Sequence, residues 1–192
     1  MRLQVANPES IDPKSEIRYQ MRRILRENPQ DSAPVIRQLD DWLASRPHLQ
    51  TLAVFSALPG EVNLTELVSR HPQRRWVYPR VIGDDLIFHL VKNPATELVV
   101  GAFGIREPSL VLPEIALTEI DVFFCPGLAF DRQGGRLGRG RGFYDRALAG
   151  ATPGALKIGV CFPCQQVENT HAEPHDVPMD AVFCGEIQSI TI

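Results

Sequence analysis

The sequence predicts an α/β protein built around a mainly parallel sheet. Short apolar runs, typical of buried strands, alternate with longer amphipathic segments, typical of helices, along most of the chain. The 192 residues suit one domain with one large core, since no repeat, low-complexity tract or linker divides them. We therefore expect residues 1–192 to form a single domain.

The first helix is expected over residues 12–27. Asp12 can accept hydrogen bonds from the first turn, and Pro13 suits the first helical position. Apolar residues, including Ile17 and Met21, recur on one face of this segment. This face predicts packing against the rest of the domain.

Two cations near the start of this helix oppose its dipole. Lys14 and Arg18 are four residues apart, so they share one face of the first turns. Positive charge is unfavourable at a helix N-terminus. A solvated surface explains the pair, and so does binding of an anion; both readings remain open at this point.

The other elements follow from shorter patterns. Helices are expected over residues 34–45, over 64–70 after a capping Asn63, and from 142 to 149. Strands are expected over residues 51–58, 75–79, 85–91, 121–125, 155–162 and 180–184, with a weaker candidate over 97–105. Pro79 is expected to end its strand, and residues 121–125 are expected to form a central strand.

Charge and composition exclude several classes of protein. The net charge of −3 provides no basic field for nucleic acid, and no apolar stretch approaches the ~20 residues of a spanning helix. The first ten residues lack the apolar core of a signal peptide. Four cysteines without a disulfide framework suit a reducing compartment. We expect a cytoplasmic monomer that binds neither nucleic acid nor membrane.

The segment GGRLGRGRGFYDR, residues 134–146, is the most unusual part of the chain. It places five glycines among four arginines, after a predicted strand and before a predicted helix. Ligands of open α/β sheets bind beyond the carboxyl ends of strands, and glycine-rich backbone can present N–H groups to an anion. Arginine adds counter-charge suited to phosphate. The spacing matches neither the Walker A nor the Rossmann fingerprint, so a polyphosphate site and a structural turn both remain possible.

The end of this segment allows two readings for each of its side chains. Asp145 could hold Mg²⁺ beside a polyphosphate, or be a solvated residue of the first helical turn. Phe143 and Tyr144 could stack on a planar ligand or simply pack in the core.

A second pattern resembles a zinc site. Cys161, Cys164, His171 and His175 have the spacing C-x2-C-x6-H-x3-H, although its central gap is short. Cys161 ends an apolar strand, where a buried thiol is the ordinary case. His89 lies within a predicted strand and is interpreted as a histidine of the core or the sheet face.

The segment over residues 126–146 closely resembles the signature of the 5-formyltetrahydrofolate cyclo-ligase family. Other stretches resemble this family in the same order along the chain: Lys14-x-x-Ile17-Arg18, Glu61, Tyr78-Pro79-Arg80, FGIREP over residues 103–108 and EPHDVPMDAVF over residues 173–183. The resemblance therefore extends over nearly the whole sequence.

This resemblance implies a fold and an activity. The fold is a three-layer α/β/α Rossmann-like sandwich with a mainly parallel sheet. The activity is the ATP-dependent cyclisation of 5-formyltetrahydrofolate to 5,10-methenyltetrahydrofolate, with Mg²⁺ and with release of ADP and phosphate. Two alternatives remain: a nucleotide- or folate-binding module without turnover, and a cyclo-ligase for a related N-formyl substrate.

The resemblance also implies roles for individual residues. ATP would be bound by Lys14, Arg18, Arg136, Leu137, Gly138, Arg139, Gly140, Arg141, Gly142, Phe143 and Tyr144. The folate would contact Ser56, Glu61, Tyr78 and Phe103, with Arg139, Gly140 and Phe143 facing its formyl group. Asp145 and Asp180 would ligate Mg²⁺, and Arg139, Arg141 and Asp145 would carry the catalysis.

Two positions depart from the family pattern. Phe143 stands where the family often has tyrosine, which removes one hydroxyl, and Arg106 stands where proline is common. Neither departure removes a charged group from the predicted site. They bear on substrate preference instead.

Overall fold

The computed structural model describes residues 12–101 and 104–185. Helices α1 to α5 span Pro13–Glu27, Ala33–Ala44, Thr65–Arg70, Pro94–Glu97 and Phe143–Ala149. Strands β1 to β11 span Thr51–Ala53, Arg75–Ile82, Asp85–Leu90, Leu98–Val100, Arg106–Pro108, Glu114–Ile115, Val122–Cys125, Ala129–Phe130, Arg136–Leu137, Leu156–Val160 and Ala181–Phe183.

A seven-stranded sheet forms the centre of the fold. Its strands lie in the order β11-β10-β7-β1-β2-β3-β6. The first five strands of this order pair in parallel, whereas β3 and β6 add an antiparallel edge. The expectation of a mainly parallel α/β sheet is confirmed, with β7 at an interior position.

The sheet is covered on both faces. Side chains of β7 alternate between two hydrophobic clusters, so Val122 and Phe124 pack with α2 on one face. Phe123 and Cys125 pack with residues of α5 on the other face. Helices therefore cover both faces of the sheet, in the helix, sheet and helix layers that the family resemblance implies.

Helix α1 begins where the sequence predicts. The Asp12 carboxylate accepts hydrogen bonds from the backbone N–H groups of Lys14, at 3.3 Å, and Ser15, at 3.1 Å. The apolar face of α1 packs through Met21 against Leu128, which precedes the small β8–β9 hairpin, and against Leu137 in β9. This packing fixes the N-terminal turns of α1 beside the glycine-rich segment.

Strand β2 does not end at Pro79, so that prediction is wrong. Proline cannot donate a backbone hydrogen bond, which matters only where a partner strand needs the donor. Strand β1 pairs with β2 only as far as Val77. Beyond that point β2 pairs with β3 alone, and Pro79 lies opposite Phe88 in that pairing.

Two other predicted strands differ in extent. The run over 51–58 forms regular strand only at Thr51–Ala53, although the chain stays buried through Phe55. The weaker candidate over 97–105 contributes Leu98–Val100, which pairs with Arg106–Pro108 in a separate ribbon. No helix in the described part of the chain is long and apolar enough to cross a membrane.

Candidate active site

A cleft of about 1000 Å³ lies at the carboxyl ends of the parallel strands. Its walls include Ser56 after β1, Pro79 in β2 and Gly127 after β7. The N-terminal turns of α1, the segment over residues 136–146, strand β5 and the stretch over residues 173–176 also line it. This is the edge at which open α/β sheets bind their ligands.

Most residues predicted for the site line this cleft. They are Lys14, Arg18, Ser56, Glu61, Arg136, Leu137, Gly138, Arg139, Gly140, Arg141, Gly142, Phe143, Tyr144 and Asp145. Tyr78 and Asp180 do not line it, and Phe103 falls outside the described residues. The structure thus brings α1 together with a segment more than a hundred residues away.

The glycine-rich segment adopts backbone that requires glycine. Gly140 has φ +103° and Gly142 has φ +66°, both in the left-handed region that L-residues rarely adopt. Gly142 also precedes α5, which has only seven residues. An anion at this segment would therefore be held by arginine side chains and loop N–H groups rather than by the dipole of a long helix.

Arg18 contacts this segment directly. Its Nε donates a hydrogen bond to the Gly138 carbonyl at 3.0 Å. A side chain at Gly140 would meet the Arg18 guanidinium at 3.8 Å, so the two residues lie against each other. The guanidinium of α1 is in this way fixed at the rim of the loop.

Lys14 lies between two carboxylates. Its Nζ is 2.7 Å from Asp176 Oδ2 and 3.1 Å from Glu173 Oε2. Burial alone would lower the pKa of Lys14, but the two carboxylates raise it, and the net pKa is raised. Lys14 therefore stays charged, and its partners offset the unfavourable helix dipole.

Arg136 and Asp145 form a buried ion pair. Arg136 Nη2 lies 2.8 Å from Asp145 Oδ1, and the Arg136 side chain is only 4% exposed. The guanidinium also donates to the Pro126 carbonyl at 3.2 Å and lies 5.4 Å from the centroid of the Tyr144 ring. Arg136 thus organises the wall of the cleft and has little freedom to move.

Three buried polar atoms in the cleft residues have no hydrogen-bond partner within the described ranges. They are Arg136 Nε, the Tyr144 hydroxyl and Ser56 Oγ. A buried polar group without a partner costs free energy, which a ligand can offset. These three unpartnered polar atoms belong to residues that line the cleft. The Tyr144 side chain is partly buried with its hydroxyl enclosed, and this burial raises its pKa well above the ordinary value, so the hydroxyl stays protonated.

Arg139 and Glu61 meet across the cleft. Arg139 Nε and Nη2 both donate to Glu61 Oε1 at 3.0 Å. Glu61 Oε2 accepts from the Leu58 backbone N–H at 2.9 Å, so both its oxygens have partners. The residue predicted to bind phosphate and the residue predicted to bind the folate are thus paired with each other.

The geometry does not support Asp180 as a partner of Asp145 at a metal. Asp180 precedes β11, and its Oδ2 accepts a hydrogen bond from Lys157 N in β10 at 2.7 Å. It therefore lies level with the amino ends of these strands. Glu173 and Asp176, which come earlier in this segment, are carboxylates that line the cleft.

The prediction that Tyr78 contacts the folate disagrees with the direction of its side chain. Its neighbours in β2, Pro79 and Val81, line the cleft, and side chains alternate along a strand. Tyr78 instead packs in the cluster on the opposite face of the sheet. Burial raises its pKa to about 12.

The zinc-like pattern does not come together. Within the described residues, the group with suitable spacing for a metal is Glu173, His175 and Asp176, which contains no cysteine. Cys161 is buried, and burial raises the pKa of its thiol well above the ordinary value. His89 is also buried, with Nδ1 2.9 Å from the Leu112 carbonyl, as expected of a core histidine.

The sequence reasoning missed several residues of the cleft. Asp12, Glu107, Glu173 and Asp176 line it, but no role in the site was predicted for any of them. Glu107 and the two later acidic residues lie inside stretches that carried the family resemblance. Which of their side chains face the cleft depends on the path of the chain, which sequence spacing does not determine.

Comparison with known proteins agrees with the geometry. The sequence profile of the 5-formyltetrahydrofolate cyclo-ligase family matches residues 11–185. A 5-formyltetrahydrofolate cyclo-ligase of Haemophilus influenzae is 34% identical over 149 residues, which cover 74% of this chain and 80% of the relative.

Solved structures agree as well. The 5,10-methenyltetrahydrofolate synthetase of Aquifex aeolicus superimposes with a TM-score of 0.79 at 31% identity, over 90% of each chain. The corresponding enzyme of Mycoplasma pneumoniae gives a TM-score of 0.75 at 25% identity, covering 91% of this chain and all of that one. The fold described above is therefore the fold of these enzymes.

Proposed function

The chain belongs to the 5-formyltetrahydrofolate cyclo-ligase family, and we propose that it converts 5-formyltetrahydrofolate and ATP into 5,10-methenyltetrahydrofolate, ADP and phosphate. The observation that carries the proposal is the Arg139–Glu61 contact inside a cleft lined by the cations of α1. In this contact the guanidinium that we propose to bind phosphate lies against the carboxylate that we propose to contact the folate. A nucleotide and a folate can therefore occupy one continuous site.

The chemistry needs activation of a poor leaving group. The γ-phosphoryl of ATP transfers to the formyl oxygen, which breaks the bond to ADP and forms an oxygen–phosphorus bond. N10 of the folate then attacks the formyl carbon and loses its proton, and the carbon–oxygen bond breaks to release phosphate. No protein nucleophile takes part, so catalysis comes from positioning and charge stabilisation.

We propose different roles in this reaction for different residues of the cleft. Arg139 and Arg141 would stabilise the charge that develops on the transferred phosphoryl group. Lys14 and Arg18 would bind the phosphates from the other side, once Lys14 exchanges its carboxylate partners for phosphate oxygens. Gly138, Gly140 and Gly142 would let the backbone approach the triphosphate closely.

Oxygen donors in the cleft fit a magnesium ion. Asp145 Oδ1 is bonded to Arg136, while Oδ2 has no donor among the described residues and can serve as a ligand. Asp176 is a second cleft-lining carboxylate near α1. We propose Asp145 as the principal ligand, because Mg²⁺ favours carboxylate together with phosphate oxygens. Bound Mg²⁺ would neutralise part of the phosphate charge.

The four cysteine thiols bear on the cellular compartment in which the protein acts. Cys125, Cys161, Cys164 and Cys184 are all free rather than paired in disulfides. Free thiols in a family with bacterial members suit a reducing compartment, and we propose that the protein acts in the cytoplasm as a monomer.

Calorimetry separates this enzyme from a sensor on the same fold. We expect 5-formyltetrahydrofolate to bind in the presence of a non-hydrolysable ATP analogue and Mg²⁺. With ATP itself, the same titration should show the continuing heat of turnover and yield ADP. Tight binding of both ligands without any ADP would instead support the sensor.

A further inference from the structure

Glu107 is a buried carboxylate that the mechanism above does not use. It lies in β5, is 2% exposed and lines the cleft. Oε1 accepts a hydrogen bond from the Val81 backbone N–H at 3.3 Å, longer than a typical bond of this kind. Within the described residues Oε2 has no donor, and no cation forms an ion pair with Glu107. A carboxylate has about four acceptor sites, and the part of the chain that the structure describes fills only one of them.

The surroundings of Glu107 keep its carboxylate in place. Gly101 lies directly against it, and a Cβ at Gly101 would come within 2.1 Å of Oε2. The nearby Arg80 guanidinium donates to the Pro108 carbonyl at 2.6 Å instead of pairing with Glu107. A buried carboxylate is costly unless hydrogen bonds satisfy it, so this arrangement suits a ligand that supplies donors.

Glu107 differs from Glu61 in its unused capacity to accept hydrogen bonds. Both oxygens of Glu61 already accept hydrogen bonds, from Arg139 and from the Leu58 backbone. Glu107 is a buried cleft carboxylate that, among the residues described, has spare acceptor capacity and no cationic partner. A neutral ligand edge with two adjacent N–H donors would match it.

We infer that Glu107 determines folate recognition by accepting hydrogen bonds from the 2-amino and N3–H edge of the pterin ring. The inference rests on the proposed function, because it assumes that a reduced folate occupies this cleft. A pterin presents these two donors side by side, as arginine does, and a carboxylate can accept both. The same geometry would disfavour analogues that lack the 2-amino group.

Direct binding tests the inference separately from turnover. The affinity of 5-formyltetrahydrofolate is measured by calorimetry without nucleotide, for the full chain and for Glu107→Gln. Loss of a charged acceptor should weaken binding by about tenfold or more. The affinity for an ATP analogue with Mg²⁺ should stay unchanged, which also shows that the variant is folded. Glu114→Gln, at an exposed carboxylate of β6, is the matched control and should bind folate as the wild type does.

A second variant and a modified folate test the proposed contact with Glu107 independently. Gly101→Ala leaves Glu107 in the sequence but displaces its carboxylate, so it should weaken folate binding in the same way. A folate analogue without the 2-amino group should bind the wild type more weakly and should lose little more affinity in Glu107→Gln.

The outcomes distinguish the two proposals. Unchanged folate affinity in Glu107→Gln, with normal binding by the wild type, overturns the inference and leaves the proposed function standing. A loss confined to kcat, with folate affinity intact, also overturns it, since a proton acceptor rather than a binding residue would behave in that way. If the wild type does not bind 5-formyltetrahydrofolate, both proposals fail.

Discussion

Arg139 and Glu61, 78 residues apart, share a hydrogen-bonded ion pair in which both Arg139 Nε and Nη2 donate to one Glu61 oxygen. The pair joins the glycine-rich segment to the turn after β1. Substrates that bind these residues must compete with the pair, so the positions of folate and nucleotide are linked. Glu61 is nearly buried at 8% side-chain exposure, whereas Arg139 is 36% exposed. We therefore expect Arg139 to move and Glu61 to remain in place.

Replacing Arg139 with alanine should slow the reaction. We expect turnover to fall by at least about tenfold, which corresponds to about 1.4 kcal/mol of transition-state stabilisation. Steady-state kinetics with both substrates at saturation measures this change. Arg22→Ala, on an exposed face of α1, serves as the control and should behave as the wild type. Wild-type turnover in Arg139→Ala would remove its proposed role.

Replacing Asp145 with asparagine should affect both stability and catalysis. The change leaves Arg136 buried without its ionic partner, which should lower the free energy of unfolding by about 3 kcal/mol. Urea denaturation measures that loss. Turnover should also fall by about tenfold and should require more Mg²⁺, because one metal ligand is weakened. A variant that is less stable but has normal kinetics would limit Asp145 to a structural role.

Asp131 should make the stability of the β8–β9 hairpin depend on pH. Its carboxylate accepts from Gly135 N at 2.8 Å and from Thr170 Oγ1 at 2.6 Å. Burial would raise the pKa of Asp131, but the hydrogen bonds from Thr170 and Gly135 lower it overall. A lowered folded-state pKa contributes stability above the unfolded value of about 3.9, and this stability is lost as the pH falls through the folded value.

Asp131→Asn is the variant that checks this dependence. At pH 7 it should lower the free energy of unfolding by about 2 kcal/mol, and the difference from the wild type should narrow below about pH 4. Denaturant titrations from pH 7 down to about pH 2 measure the effect, because the stability is lost only as the pH falls through the lowered folded-state pKa of Asp131. Asp41→Asn, at an exposed position of α2, should show little difference at any pH. A constant difference for Asp131→Asn would contradict the proposed contribution.

Helices and strands that depend on local sequence signals were predicted correctly. The cap at Asp12 located the start of α1, and the apolar run around Phe123 located a central strand. Interactions between distant segments were harder to predict. Whether Pro79 ends a strand depends on how far β1 extends beside it, and the side chain of Tyr78 follows from strand register.

In the candidate site, too, the overall arrangement was predicted better than the contacts of individual side chains. Motif resemblance brought α1 and the glycine-rich segment together correctly, because it carries information about the whole fold. It did not distinguish Asp176 from Asp180, which lie on the same stretch but at different ends of the sheet. Nor did it predict that Arg136 is buried against Asp145, since composition alone favours an arginine that faces phosphate.

The most direct test of the account is the turnover assay with purified protein. In the presence of 5-formyltetrahydrofolate, ATP and Mg²⁺, we expect near-ultraviolet absorbance of 5,10-methenyltetrahydrofolate to rise, with an equimolar release of ADP. Omission of any one component should abolish the rise. Protein that binds ATP normally but forms neither product would contradict the account.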